Sequence, residues 1–183
     1  ASLDHDATQV QRLARTLSAD ELARADRFRF ERDRRRYIVG HGLLRVILGH
    51  YLDHKPGQVR FRTGRQGKPF LAKDLGDPNL QFNMAHSHEL ALYALARDHA
   101  VGIDVEYVRE LPDLEQIADN FFSMAENAAL HTLVGEQKIE GFYNCWTRKE
   151  AYIKALGEGL HHPLDQFDVS LDPRGEPRLL SIA

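Results

Sequence analysis

Only one cysteine, Cys145, occurs among the 183 residues, so no internal disulfide staples the fold. Such a chain suits a reducing compartment, and a cytoplasmic location is expected. Cys145 immediately precedes Trp146, and an inert buried thiol is a better expectation for it than a nucleophile. Long apolar runs are lacking too: the longest candidate, Leu90 to Ala96, is strand-length, far short of the ~20 residues that cross a bilayer. No membrane association is therefore expected. The opening Ala1-Ser2-Leu3-Asp4-His5-Asp6 lacks Met and any charged-then-apolar secretory pattern. An overall excess of positive charge is also missing, since the formal net charge is −3, which argues against a generic nucleic-acid binder.

What is present fits a globular protein: 43% apolar and 28% charged residues, enough for one large domain or two smaller halves sharing a core. Periodicity places helices over Ala7 to Leu17, from about Asp33 to Leu52, and from Gln137 to Leu156. Ser18-Ala19-Asp20-Glu21 and Ser123-Met124-Ala125-Glu126 each read as a capping box opening a further helix. Between the helical parts the period changes. Leu80 to Met84, Leu90 to Ala96 and Ala100 to Glu106 read as three consecutive strands, and Phe167 to Leu171 with Arg178 to Ile182 as a hairpin. The fold class expected is α+β.

Charge is unevenly spread. Arg24, Arg27, Arg29, Arg32, Arg34, Arg35, Arg36 and Arg45 are opposed only by Asp26, Glu31 and Asp33. A solvated helix face accounts for most of such a run; a local anion site is the functional alternative. His86 and His88 stand at i, i+2, but without a cysteine or third histidine at suitable spacing zinc is disfavoured.

Two stretches carry chemistry. On the helix over Trp146 to Leu156, residues Trp146, Glu150 and Lys154 recur every fourth position and share one face, roughly 6 Å per step. The plain reading is a surface ion pair worth only ~0.3–0.5 kcal/mol. Earlier, Val101 to Val108 alternates like a strand, which would put Asp104 and Glu106 on one face, ~7 Å apart. Two such carboxylates repel unless a cation or basic group lies between them. Together with Glu150 they make an all-oxygen set, suited to Mg²⁺ (Mn²⁺ as a substitute) rather than Zn²⁺. A cation so held keeps positions for phosphate oxygens, so a phosphate ester or pyrophosphate is the expected substrate.

In this order and at this separation, Gly102-Ile103-Asp104-Val105-Glu106 and Trp146-Thr147-Arg148-Lys149-Glu150-Ala151-Tyr152-Ile153-Lys154 resemble the G-(I/V)-D-x-E strand and W-x-x-K-E-(A/S)-x-x-K helix of the Sfp-type 4′-phosphopantetheinyl transferases. The resemblance, over roughly Ser18 to Leu171, implies two similar α/β halves related by a pseudo-twofold, here residues 1–98 and 99–183, with coenzyme A and the metal in the cleft between them. It implies a holo-carrier-protein synthase: Mg²⁺ on Asp104, Glu106 and Glu150, with Glu150 or a water it orients as base, and Lys154 stabilising or protonating the leaving phosphate. Lys149 would touch phosphate or solvent, and Trp146 would pack. Coenzyme A contacts would fall to Arg24 and Arg36 near the 3′-phosphate, to Lys68 and Pro69 of the Gly67-Lys68-Pro69 turn, to Ala85 and His86, and to Asp104 and Lys154. The family pattern takes Ser or Ala at Ala85; the Sfp-type prototype has Ser there, Lys where this chain has Glu21 and Thr where it has Tyr37, so the adenosine pocket would be built somewhat differently. The implied partner is an apo acyl or peptidyl carrier protein, met by a monomer without nucleic acid or membrane. Two rival readings remain: a binding module that holds nucleic acid through the arginine run, and a degenerate transferase that only binds coenzyme A.

Overall fold

The computed structural model describes residues 1–64, 66–75, 77–157, 159 and 162–182. The chain divides into two compact units, Ala1–Val101 and Gly102–Ala183. The α+β expectation holds: both units combine helices with antiparallel hairpins.

In the first unit, α1 (Ala7–Ala14) is capped by Asp6, and α2 (Ala19–Ala25) opens on the Ser18/Glu21 capping box. The long α3 (Glu31–Leu52) has no side-chain cap and stops where Asp53 turns left-handed. Its stability comes from packing. Leu3, Val10, Leu13, Leu17, Ile38, Val39 and Ala91 bury one face, and Leu44, Leu48, Leu52, Val59, Leu75, Leu80 and Phe82 another. A Cβ on Gly42 would stand 2.7 Å from Leu13 Cβ, so glycine is what lets α1 approach α3. Short strands β1 (Phe61–Thr63) and β2 (Pro69–Leu71) pair with each other, as do β3 (Leu80–Ser87) and β4 (Leu90–Arg97). β3 runs farther than its apolar pattern suggests. Full pairing with apolar β4 carries the strand through polar His86, which lies opposite Ala91.

In the second unit, α4 (Leu114–Phe121), α5 (Met124–His131) and α6 (Glu136–Leu156) pack with the hairpin of β5 (Phe167–Val169) and β6 (Leu179–Ile182). Their core joins Leu114, Phe122, Leu130, Phe142, Ile153, Leu164 and Phe167. The Ser123/Glu126 box caps α5 as its sequence predicts, and Gly157 ends α6 in a left-handed conformation.

Among the described residues one expected element is absent. Val101 to Val108 forms no strand; the segment carries no ladder pairing. From Gly102 on its neighbour is a helix instead. A Cβ on Gly102 would lie 2.0 Å from Ala151 O and 2.4 Å from Ala155 N, so the backbone of this segment rests directly on the backbone of α6. β-branched alternation expresses a preference for a pleated neighbour, and none is offered here. No helix among the described residues is long and apolar enough to cross a membrane.

Candidate active site

Gly102 sets the geometry of the second unit's site. Only a residue without a side chain can lie against Ala151 and Ala155, and this contact brings Asp104 to the face of α6 that bears Glu150 and Lys154. Lys154 Nζ donates to Asp104 Oδ1 at 2.5 Å. The Asp104 side chain is only 6% exposed, and its second oxygen, Oδ2, is buried with no hydrogen-bond partner among the described residues. A buried carboxylate oxygen in that state is costly, of order 1–3 kcal/mol, and calls for a donor or a cation.

Glu150, one turn before Lys154, is half-buried. Burial pushes its carboxyl above the usual range; Lys154 offsets this in part, and the negative charges of Asp104 and Glu106 raise it further. Those four groups therefore share one electrostatic neighbourhood, as the sequence motifs suggest. Among the described residues, however, no three His, Cys, Asp or Glu side chains are gathered closely enough to hold a metal ion. Glu106 is exposed, and the Lys154 ammonium takes one oxygen of Asp104. The donor set itself fits a hard divalent cation: all oxygen, anionic, with one buried oxygen unsatisfied.

Lys149 needs a correction. Far from touching phosphate or solvent, it is fully buried behind the site. Its Nζ donates to Leu164 O and Phe167 O, both at 2.6 Å, pairs with Glu126 Oε2 at 2.7 Å, and sits 4.3 Å from the Phe167 ring. Glu126 in turn accepts from Ser123 N and Val169 N. The capping box marks Glu126 in the sequence; its second task, pinning α6 to β5, leaves no signal there. Cys145 is buried, and burial with the nearby Glu126 charge pushes its thiol far up, so it is an inert core group. Trp146 packs against Phe121 and Phe142.

The first unit holds a second constellation. Arg24 lies 6.0 Å from the Tyr37 ring, which stacks on His41 with centroids 3.9 Å apart. Burial holds the His41 imidazole below its usual range, His86 and Arg24 lower it further, and Glu21 opposes them. Arg24 of helix α2 and His86 of strand β3 are thus both near enough to this partly buried histidine to act on its charge. Glu21 is engaged in structure: its Oε2 accepts from Ser18 N and from the buried Arg45, each at 2.8 Å.

The remaining site residues are more dispersed. The fork of Arg36 is taken by Asp4, at 2.8 and 2.9 Å, which holds that carboxyl below the usual range. Lys68 Nζ donates to Val101 O at 3.2 Å, and burial lowers its basicity. Pro69 begins β2 and is exposed, while Ala85 is buried in β3 opposite Leu92.

A family model described as 4′-phosphopantetheinyl transferase, N-terminal, matches residues 5–98, and one described as the 4′-phosphopantetheinyl transferase superfamily matches residues 100–182. The chain is 46% identical over 181 residues to 4′-phosphopantetheinyl transferase HetI of Nostoc sp., covering 99% of this chain and 76% of that protein. It is 34% identical over 171 residues to psf-1 of Bacillus pumilus (93% and 71% covered) and 31% identical over 166 residues to Sfp of Bacillus subtilis (91% and 71%). With both of its units matched and a relative of this likeness along nearly its whole length, the chain belongs to the 4′-phosphopantetheinyl transferase family.

Proposed function

We propose that the protein transfers the 4′-phosphopantetheine arm of coenzyme A to a serine hydroxyl of an apo acyl or peptidyl carrier protein, in the Sfp-type manner, releasing adenosine 3′,5′-bisphosphate. The observation that carries this reading is the pairing of Asp104 with Lys154 beside Glu150, with one Asp104 oxygen buried and unsatisfied. Attack on a pyrophosphate phosphorus needs neutralised oxygens and a placed nucleophile more than covalent help from the protein. Mg²⁺, or Mn²⁺ in its place, would be held by Asp104, Glu106 and Glu150 and would supply that neutralisation. The raised basicity of Glu150 suits a carboxylate that takes the proton of the incoming serine, directly or through a water. Lys154 donates to Asp104 Oδ1 and, one turn beyond Glu150, can turn its ammonium to the leaving phosphate.

In the first unit we assign the nucleotide phosphates to Arg24 and His86, with Lys68, Pro69 and the Ala85 backbone alongside; Arg36 joins only by leaving Asp4. We take the two functional halves as residues 1–98 and 99–183, a boundary three residues before that between the two compact units. The nucleic-acid reading loses support because Arg34, Arg36 and Arg45 are ion-paired within the protein and Arg35 donates to His5 O.

The test is to incubate the protein with coenzyme A, Mg²⁺ and an apo carrier protein and to weigh the carrier. A gain of one phosphopantetheine, lost in Asp104→Ala while the variant still melts cooperatively, is expected. An unmodified carrier with retained coenzyme A binding means a binder only, and full turnover in Asp104→Ala removes the metal assignment.

A further inference from the structure

His41 lies outside every motif discussed above, yet it stands at the centre of the first unit's constellation. It sits on α3 one turn after Tyr37, its ring stacked on the Tyr37 ring at 3.9 Å and 26°, with Nδ1 3.1 Å from Tyr37 O. The other groups facing it are few and can be named. Helix α2 supplies Arg24 and Glu21, strand β3 supplies His86, and strand β4 supplies Tyr93, whose hydroxyl donates to Gly40 O at 2.9 Å. Glu21 is already engaged by Arg45 Nε and Ser18 N. Arg24 has no carboxylate partner among the described residues; its recorded neighbour is the Tyr37 ring. Arg24 is thus a cation of the cluster with no ion pair among the described residues.

We propose that His41 is a proton-linked binding residue: an anionic phosphate group seated between Arg24 and His86 is accompanied by protonation of His41. This rests on the coenzyme A reading of the same cluster. In the free protein the imidazole is neutral near pH 7, because burial disfavours its charge and the nearby His86 and Arg24 add to this against the opposing Tyr37 carbonyl and Glu21. A bound phosphate screens both neighbours and adds negative charge nearby. The opposition from Arg24 and His86 weakens, and burial is left to oppose the proton against the Tyr37 carbonyl, Glu21 and the phosphate. The sign follows: bound protein carries more protons than free protein, so phosphate affinity falls as pH rises through the titration of His41.

Calorimetric titration with adenosine 3′,5′-bisphosphate, in two buffers of different ionisation heat at pH 6.5, counts the protons. Wild type should take up about half a proton more per ligand than His41→Gln. His86→Gln should bind more weakly but keep a His41-dependent uptake. Equal proton counts in wild type and His41→Gln overturn the proposal, as does an uptake that vanishes in His86→Gln while binding persists. Should His41→Gln fail to fold, the His41 imidazole resonance of the wild type decides: a shift toward imidazolium on ligand addition supports the proposal, and an unmoved resonance overturns it. Absence of any binding to wild type removes the coenzyme A reading and the proposal together, whereas binding without proton uptake removes the proposal alone.

Discussion

Glu150 is held in a form the fold does not favour at neutral pH. Its carboxyl titrates higher folded than unfolded, so the folded state binds more protons, and stability falls as pH rises from about the free-glutamate value through the folded value. Glu150→Gln should therefore raise the melting temperature at pH 7 by about 1–3 °C, with the gain fading below pH 4.5. A variant no more stable than wild type at pH 7 would contradict the strain ascribed to this side chain. Turnover should meanwhile fall about 100-fold or more, as expected for loss of a general base. Lys154→Ala separates chemistry from binding. If the ammonium acts on the leaving phosphate, kcat falls by about two orders of magnitude with little change in KM for coenzyme A. A raised KM with kcat intact would make it a binding group.

At the scale of elements, α6 is pinned from behind. The Lys149–Glu126 pair joins it to α5 and, through Leu164 O, Phe167 O and Val169 N, to the start of β5. Lys149→Met leaves the buried Glu126 uncompensated and should cost about 3–5 kcal/mol in chemical denaturation. Lys149→Met with Glu126→Gln should recover part of that loss; a double variant as unstable as the sum of the singles would show the two not to be coupled. Much of this architecture was legible beforehand. Apolar periodicity gave α1, α3 and α6, and the Ser18 and Ser123 boxes gave the starts of α2 and α5 to the residue. The third strand was misread, because alternation in Val101 to Val108 reports a β preference and says nothing about whether a sheet edge is available. The acid–base grouping of Asp104, Glu150 and Lys154 was visible, since i, i+4 spacing and a motif carry it. The roles of Glu126 and His41 were not, because each depends on partners brought from distant segments.

For the whole molecule, net charge misleads. The chain is acidic on balance, yet positive charge is concentrated between Arg24 and Arg45 and only partly neutralised: Arg27 and Arg29 have no ion pair among the described residues, while Arg34, Arg36 and Arg45 do. A carrier protein that docks through an acidic surface should accordingly bind less tightly as salt rises, by several-fold between 50 and 500 mM, over which the screening length shrinks roughly threefold. Affinity independent of ionic strength would place docking on apolar contacts instead.

The sealed ammonium of Lys149 also has a practical use. An amine that is wholly enclosed, hydrogen-bonded on several sides and covered by the Phe167 ring is out of reach of acylating reagents while the second unit stays folded. Its rate of modification, read peptide by peptide against exposed Lys73, would serve as a clock for how often that half of the enzyme comes open.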